Sequence, residues 1–212
     1  MSEKVAQCSN RSVPSIAGAR MKVNDSGMPE EAYWNSLLDI GRIIQWLDIT
    51  PASFPVAEIG CGYGTFTVPI AQASGAQVYA FDIEPTMLET AKGNALRAGL
   101  QNIHFLLRDV LEEGTGLQAR SVGMVLLFNI LHFGERRILL EEASRILRPS
   151  GTVAIIHWRK DIATPRGPDI GLRPDQATIL DSVSGLDLHD KGKSGILEPY
   201  HWGIQLVKGA RN

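Results

Sequence analysis

The sequence predicts an open α/β fold, a mostly parallel sheet with helices on both faces. Three observations predict it. From Pro55 onward short apolar runs alternate with helical patterns, a glycine-rich turn follows the first run, and an aspartate closes the second. Strands that alternate with helices imply parallel strands joined by right-handed crossovers. The length of 212 residues suits one domain, or one domain with a small appendage. A chain this long buries roughly 70% of its unfolded surface, so it needs no disulfide or metal staple.

Residues 1–28 are rich in Ser, Asn, Gly and Lys and read as a flexible arm, with residues 29–212 forming a single domain. Pro29 and the acids Glu30 and Glu31 mark a helix start. Trp34, Leu37, Leu38, Gly41 and Ile44 follow at helical spacing, which predicts a helix over about 30–48, ended by Thr50-Pro51. Strands are expected at Val56–Ile59, Gln77–Phe81, Ile103–Leu107, Val122–Phe128 and Thr152–His157. Helices are expected at Thr65–Ala73, Pro85–Ala98 and Gly134–Leu147. The last of these places Leu139, Ala143, Ile146 and Leu147 on one side and Arg145 and Arg148 near its C-terminus, where cations suit the dipole. Between Leu107 and Val122 no period stands out. Residues 158–174 carry Pro165, Gly167, Pro168, Gly171 and Pro174 and read as a loop. A helix from Asp175 to Val183 follows. Two alternating stretches, 186–197 and 201–208, then pair as an antiparallel hairpin at the sheet edge.

Composition narrows the function. Lys+Arg 21 against Asp+Glu 23 gives a net charge of −2, so no global field favours nucleic acid or an anionic membrane. The two cysteines, Cys8 and Cys61, are too few for a disulfide framework or a four-thiolate zinc site. With no apolar run of membrane-spanning length and no signal pattern, the expected address is the cytoplasm.

The stretch Val56-Ala-Glu-Ile-Gly-Cys-Gly-Tyr-Gly-Thr-Phe-Thr67 is the most informative. Glycines at 60, 62 and 64 let the backbone turn sharply after a strand and let a ligand pack on its amides. In α/β sheets that is the usual ligand crevice. Asp82 ends the second strand, where a carboxylate can accept from both hydroxyls of a ribose. A nucleoside-containing cofactor is therefore expected. A nicotinamide site favours Gly-x-Gly-x-x-Gly, with the pyrophosphate on a helix N-terminus. Here the order is Gly60-Cys-Gly62-Tyr-Gly64, with Glu58 two residues before it. An acid at that place repels a diphosphate and suits a ligand that bears an ammonium and a sulfonium, which favours S-adenosyl-L-methionine.

Glu-Ile-Gly-Cys-Gly-Tyr-Gly resembles the first motif of class I S-adenosylmethionine-dependent methyltransferases. Phe81-Asp82-Ile-Glu-Pro-Thr-Met-Leu resembles their second, Arg108-Asp109-Val110 their third, and Leu147-Arg-Pro-Ser-Gly-Thr-Val the lead into their fifth strand. The resemblance covers residues 30–157 and points to the small-molecule group of the family. It implies a Rossmann-like, seven-stranded sheet whose last strand is antiparallel. It further implies that Gly60, Gly62 and Gly64, with Cys61 and Tyr63 between them, contact the methionine moiety, and that Glu58 reaches its ammonium. Asp82 would hold the ribose, Asp109 the adenine amino group, and Ile83 and Val110 the ring, with Met87 also at the cofactor. Asn129, Ile130 and His132, after the fourth strand, would flank the sulfonium. The family often opens its fourth strand with Asp, whereas this chain has Ser121-Val-Gly123; the change is expected at the strand's far end, in local packing.

Methyl transfer is an in-line displacement that needs alignment and desolvation, worth about 7–11 kcal/mol in effective molarity. It needs a base only when the nucleophile starts protonated. His132 is the candidate base; Tyr33, His157 and His201 are substrate-contact candidates, each with a packing alternative. The loop 158–174 is the candidate substrate lid. Its Arg159, Lys160, Arg166 and Arg173 outnumber Asp161 and Asp169, and Arg159, Arg166 and Arg173 are expected to bind a small polar or anionic acceptor. DNA amino-methyltransferase, arsenic and metal-dependent catechol chemistries are disfavoured by Asn129-Ile-Leu-His132, by the cysteine count and by the lack of clustered acids. The expected partner is thus a small-molecule methyl acceptor, with no nucleic acid, membrane or metal. Two alternatives are a nicotinamide-dependent oxidoreductase and a non-catalytic module that only binds S-adenosylmethionine.

Overall fold

The computed structural model describes residues 27–132 and 134–210. The expected arm over 1–28 therefore lies, but for Gly27 and Met28, outside the described residues.

Seven strands form one sheet: β1 (Val56–Ile59), β2 (Val78–Asp82), β3 (Ile103–Leu107), β4 (Val122–Phe128), β5 (Leu147–Trp158), β6 (Leu188–Leu197) and β7 (His201–Lys208). Their order is β3-β2-β1-β4-β5-β7-β6. Every pairing from β3 to β5 is parallel, and β7 runs antiparallel to both β5 and β6. The strand order reverses at β1, so the crevice outside the carboxyl ends of β1 and β4 is the topological switch point, where α/β sheets bind ligands.

The continuous apolar run of β4 reflects burial on both faces. Val125 and Leu127 point to one core, with Leu140, Ala143 and Ile146 of α6 (Arg136–Ile146) and Ile179 of α7 (Gln176–Ser182). Met124, Leu126 and Phe128 point to the other, with Ile43 and Leu47 of α2 (Ile40–Leu47) and Ile70 and Ala71 of α3 (Thr67–Ser74). The remaining helices are α1 (Glu31–Ser36), α4 (Pro85–Arg97) and α5 (Val110–Glu113), the last filling the stretch that showed no period.

Most boundaries fall within two residues of the sequence reading, and two elements differ by more. The helix expected over 30–48 is two helices, α1 and α2, because Asp39 caps α2 by accepting from the Arg42 amide at 2.9 Å and breaks the chain there. The fifth strand starts at Leu147 and runs through Trp158, so Trp158 belongs to β5 and the loop begins at Arg159. Gly123 lies at the start of β4, away from the crevice, as expected. A Cβ there would lie 2.3 Å from the Ala52 carbonyl, because Arg148 draws the turn at 52–54 against the strand. That close approach leaves no room for a side chain at this position.

Candidate functional site

At the end of β1 the amides of Gly60 and Cys61 both donate to the Phe81 carbonyl, at 2.8 and 2.9 Å, and turn the chain out of the sheet. Gly60, Gly62 and Gly64 all have positive φ, a region that disfavours side chains. Gly60 also meets Ile130, whose Cγ2 would sit 2.8 Å from an added Cβ. The Gly62 amide donates to Asp82 Oδ2 at 2.8 Å, and the Glu84 amide donates to Oδ1 at 2.9 Å, so the carboxylate at the end of β2 is held from two sides.

Glu58 is buried at 2% exposure and accepts from the Thr67 hydroxyl. Burial pushes its pKa up to about 8, an effect the Thr67 bond opposes and the nearby Asp82 reinforces. Burial also raises the Asp82 carboxyl, against the two amides that favour its charge. Asp109 caps α5, accepting from the Leu111 amide at 3.0 Å. These groups, with Ile83, Met87 and Val110, line a cavity of about 390 Å³ at the switch point, within the range of small-ligand sites. The crevice holds the carboxyls of Asp82, Glu84 and Asp109 against Arg108 and Arg166, with Glu58 mostly protonated near neutral pH and able to ionise opposite a cation. That balance fits the cationic, ribose-bearing ligand expected from sequence and opposes a dinucleotide pyrophosphate.

Of the glycine-loop residues, Gly60, Cys61 and Gly62 line the cavity, and Tyr63 and Gly64 do not. The Tyr63 hydroxyl donates to the Pro29 carbonyl at 2.5 Å, which fastens the segment before α1. Gly64 admits Ala91 of α4, whose Cβ would stand 3.2 Å from an added Cβ. Sequence reading missed Met28 and Pro29 in the cavity wall, and for Trp34, which could close over the cofactor, it put packing first. Trp34 packs against the α2–α3 core and also lines the cavity, edge-on to Trp158 at 6.1 Å.

Asn129, Ile130 and His132 line the cavity beyond β4. Burial, with Arg136 nearby, lowers the His132 pKa below its ordinary 6.5, an effect the Asn129 backbone opposes, so the imidazole is mostly neutral at pH 7. His157 and His201 are fully buried and stand behind the cavity wall, not in it. The His157 ring meets His132 edge-on with centroids 5.7 Å apart, and burial drives its pKa down to about 3. His201 lies against Trp158 at 4.3 Å and contacts the Asn129 side chain at 3.3 Å; burial again brings its pKa to about 3. Tyr33 is exposed and outside the cavity.

The loop cations divide by partner. Arg159 pairs with Asp161 at 2.8 Å and Glu198 at 3.6 Å, and Lys160 pairs with Asp175. Arg173 is buried and donates to the carbonyls of Arg159 at 2.7 Å and Pro168 at 2.8 Å, tying the start of the loop to its middle. Arg159 and Arg173 thus serve the loop itself and do not reach the cavity. Arg166 reaches its rim, donates to the Gly27 carbonyl, and has no carboxylate partner among the described residues. Beside it Gly167, at φ +115°, lies against Trp158.

The strand order and the crevice at the switch point are those of a Rossmann-like fold that binds its ligand beside the glycine turn. Residues 56–151 match the family model described as a methyltransferase domain. The chain is 40% identical over 73 residues to aklanonic acid methyltransferase DauC of Streptomyces sp. strain C5, covering 34% of this chain and 32% of that protein. It is 34% identical over 76 residues to the 23S rRNA (uracil(1939)-C(5))-methyltransferase RlmD of Salmonella typhimurium strain LT2, covering 36% of this chain and 17% of that one. The chain therefore spans well under half the length of these curated relatives. A S-adenosylmethionine-dependent methyltransferase from Aquifex aeolicus superposes with a TM-score of 0.72 at 20% identity, over 86% of this chain and 96% of that one. Magnesium protoporphyrin IX methyltransferase from Synechocystis PCC 6803 gives 0.65 at 19%, over 84% and 82%. No helix among the described residues is long and apolar enough to cross a membrane.

Proposed function

We propose that this protein transfers the methyl group of S-adenosylmethionine to a small polar or anionic molecule held beside His132. The observation that carries the reading is the acid-lined crevice: Glu58 and Asp82 flank a three-glycine turn at the switch point. The cofactor supplies an electrophilic methyl on a sulfonium, and displacement in line releases a neutral thioether.

This chain's residues supply the rest. Asp82, fixed by two amides, retains acceptor capacity for ribose hydroxyls. Asp109 would take the adenine amino group, and Ile83, Met87 and Val110 would cover the ring. Glu58 would face the cationic end of the ligand. The neutral His132 ring, in the cavity wall beyond β4, would take the acceptor's proton as the new bond forms. A neutral base at pH 7 suits a hydroxyl, thiol or N–H nucleophile.

Arg166 is the anchor for an anionic acceptor, because Arg159, Lys160 and Arg173 are already engaged. Aklanonic acid, the substrate named for DauC, is itself an acid. RlmD is named for an rRNA base; the balanced charge of this chain favours the small molecule. Residues 29–212 act as one domain, with the loop after Trp158 roofing the acceptor end.

Calorimetry with S-adenosylmethionine, S-adenosylhomocysteine and NADH tests the reading on wild type and Asp82→Ala. Binding of both adenosyl ligands at about micromolar Kd, weakened by the substitution, supports it. Preference for NADH, or no binding of either adenosyl ligand, overturns it.

A further inference from the structure

We infer that the acceptor is an aromatic monoanion, a flat ring held against an aromatic wall with its charge on Arg166. The inference rests on the methyltransferase reading only in calling this ligand the acceptor. Four rings line the crevice: Trp34 of α1, Phe66 just before α3, Phe128 at the end of β4 and Trp158 at the end of β5. They meet edge-on in two pairs, Phe66 with Phe128 at 4.9 Å and Trp34 with Trp158 at 6.1 Å. Edge-to-face packing sets a positive ring edge on a negative ring face, and a further ring can join such a set by the same geometry. The wall is held in place. On either side of Trp34, Glu31 accepts from the Asn94 side chain of α4 at 2.7 Å, and Asn35 accepts from the Thr65 hydroxyl at 3.1 Å. Trp158 is braced by the His201 ring at 4.3 Å and by the main chain at Gly167, where an added Cβ would come 3.0 Å from the indole. A preformed wall loses little side-chain freedom when a ligand settles on it.

The same contacts disfavour a hydroxyl-rich acceptor. The Thr65 hydroxyl is engaged by Asn35, and the Asn129 amide nitrogen lies against His201 at 3.3 Å. A sugar or a free amino acid, with several polar groups to bury here, would leave some of them unpaired. The charge at this end comes from Arg166, whose neighbour Gly167 lies on Trp158, so the stretch of main chain that covers the indole also carries the guanidinium to the rim. One of its N–H groups donates to the Gly27 carbonyl. The planar fork keeps further donors for a carboxylate. One guanidinium without a carboxylate partner among the described residues matches one negative charge.

The test is calorimetric titration of the full chain, with and without saturating S-adenosylhomocysteine. The probes are 2-naphthoate, the neutral 2-naphthalenemethanol, and decahydro-2-naphthoate, which keeps the charge and the bulk without the aromatic ring. On wild type, 2-naphthoate is expected to bind about fivefold tighter than the saturated acid and about tenfold tighter than the alcohol. Arg166→Met is expected to bring 2-naphthoate and the alcohol within about twofold of each other and to keep the preference for the aromatic ring. Trp34→Leu is expected to bring the two acids within about twofold, with its thermal transition checking the fold. No binding of 2-naphthoate to wild type, equal binding of the two acids, or a charge preference that survives in Arg166→Met overturns the inference. Binding of S-adenosylhomocysteine is measured on the same samples. If it binds and 2-naphthoate does not, the inference falls alone. If wild type does not bind it, the methyltransferase reading falls, while the titrations of the free protein still decide whether the crevice takes an aromatic anion.

Discussion

Binding of the adenosyl ligand is expected to expel a proton from Glu58. Its carboxyl titrates at about 8 in the free protein, chiefly because it is buried. At pH 7 it is therefore about nine-tenths protonated. A ligand whose ammonium and sulfonium lie near the carboxyl favours the ionised form, so binding at pH 7 releases about 0.9 proton. The linked cost is about 1.4 kcal/mol, and affinity at pH 7 is about tenfold weaker than at pH 9. Calorimetry at both pH values, in two buffers of different ionisation heat, measures the proton count directly. Glu58→Gln is expected to bind more weakly at pH 9, to release no proton and to flatten the profile. Folding stability moves the other way. The folded pKa lies above the ordinary 4.5, so the contribution of Glu58 is fully present below about 4.5 and is lost as pH rises through about 8. Free Glu58→Gln is thus expected to gain thermal stability relative to wild type between pH 5 and 9. No proton release by wild type at pH 7 would refute the reasoning.

Gly123→Ala is expected to cost about 3 kcal/mol of stability in denaturant titration, because its Cβ would collide with main chain rather than with a flexible side chain. Adenosyl-ligand affinity of the folded fraction should stay unchanged. Arg173→Met leaves the carbonyls of Arg159 and Pro168 without their donor. A loss of about 1.5–3 kcal/mol is expected, with faster trypsin cleavage after Arg166 and unchanged affinity for S-adenosylhomocysteine.

The adenosyl half of the site was legible because its residues are close in sequence and each obeys a local rule. A strand ends at Ile59, glycines turn the chain, and an acid ends the next strand, so Glu58, Gly60, Gly62 and Asp82 could be placed by number. The acceptor half was not, because it depends on which of several like residues finds a partner far away. Arg159, Arg166 and Arg173 share a loop and a charge, and their partners, Asp161 and Glu198 for one and loop carbonyls for another, separate them. The histidines divide in the same way. His157 points into the interior from a strand whose register its own sequence does not reveal. The split between α1 and α2 was missed because Leu37 and Leu38 keep the helical spacing, and Asp39 reads as a cap only once the break is seen. The cavity wall at Met28 and Pro29 gave no periodic signal at all.

The place of β7 between β5 and β6 has a consequence for the order of folding. Its ladder with β6 joins neighbours in the chain, whereas its ladder with β5 closes over the whole segment that contains the loop and α7. Ladders that close short loops form sooner, so the β6–β7 hairpin is expected to zip first and then dock as a unit. The pocket for the adenosyl ligand is drawn from earlier strands and can take shape without that docking. His201 meets Trp158 only when the hairpin seats, so cofactor capture would mature before the acceptor end of the crevice is braced, and a nascent or partly unfolded chain could hold the ligand without being competent to use it.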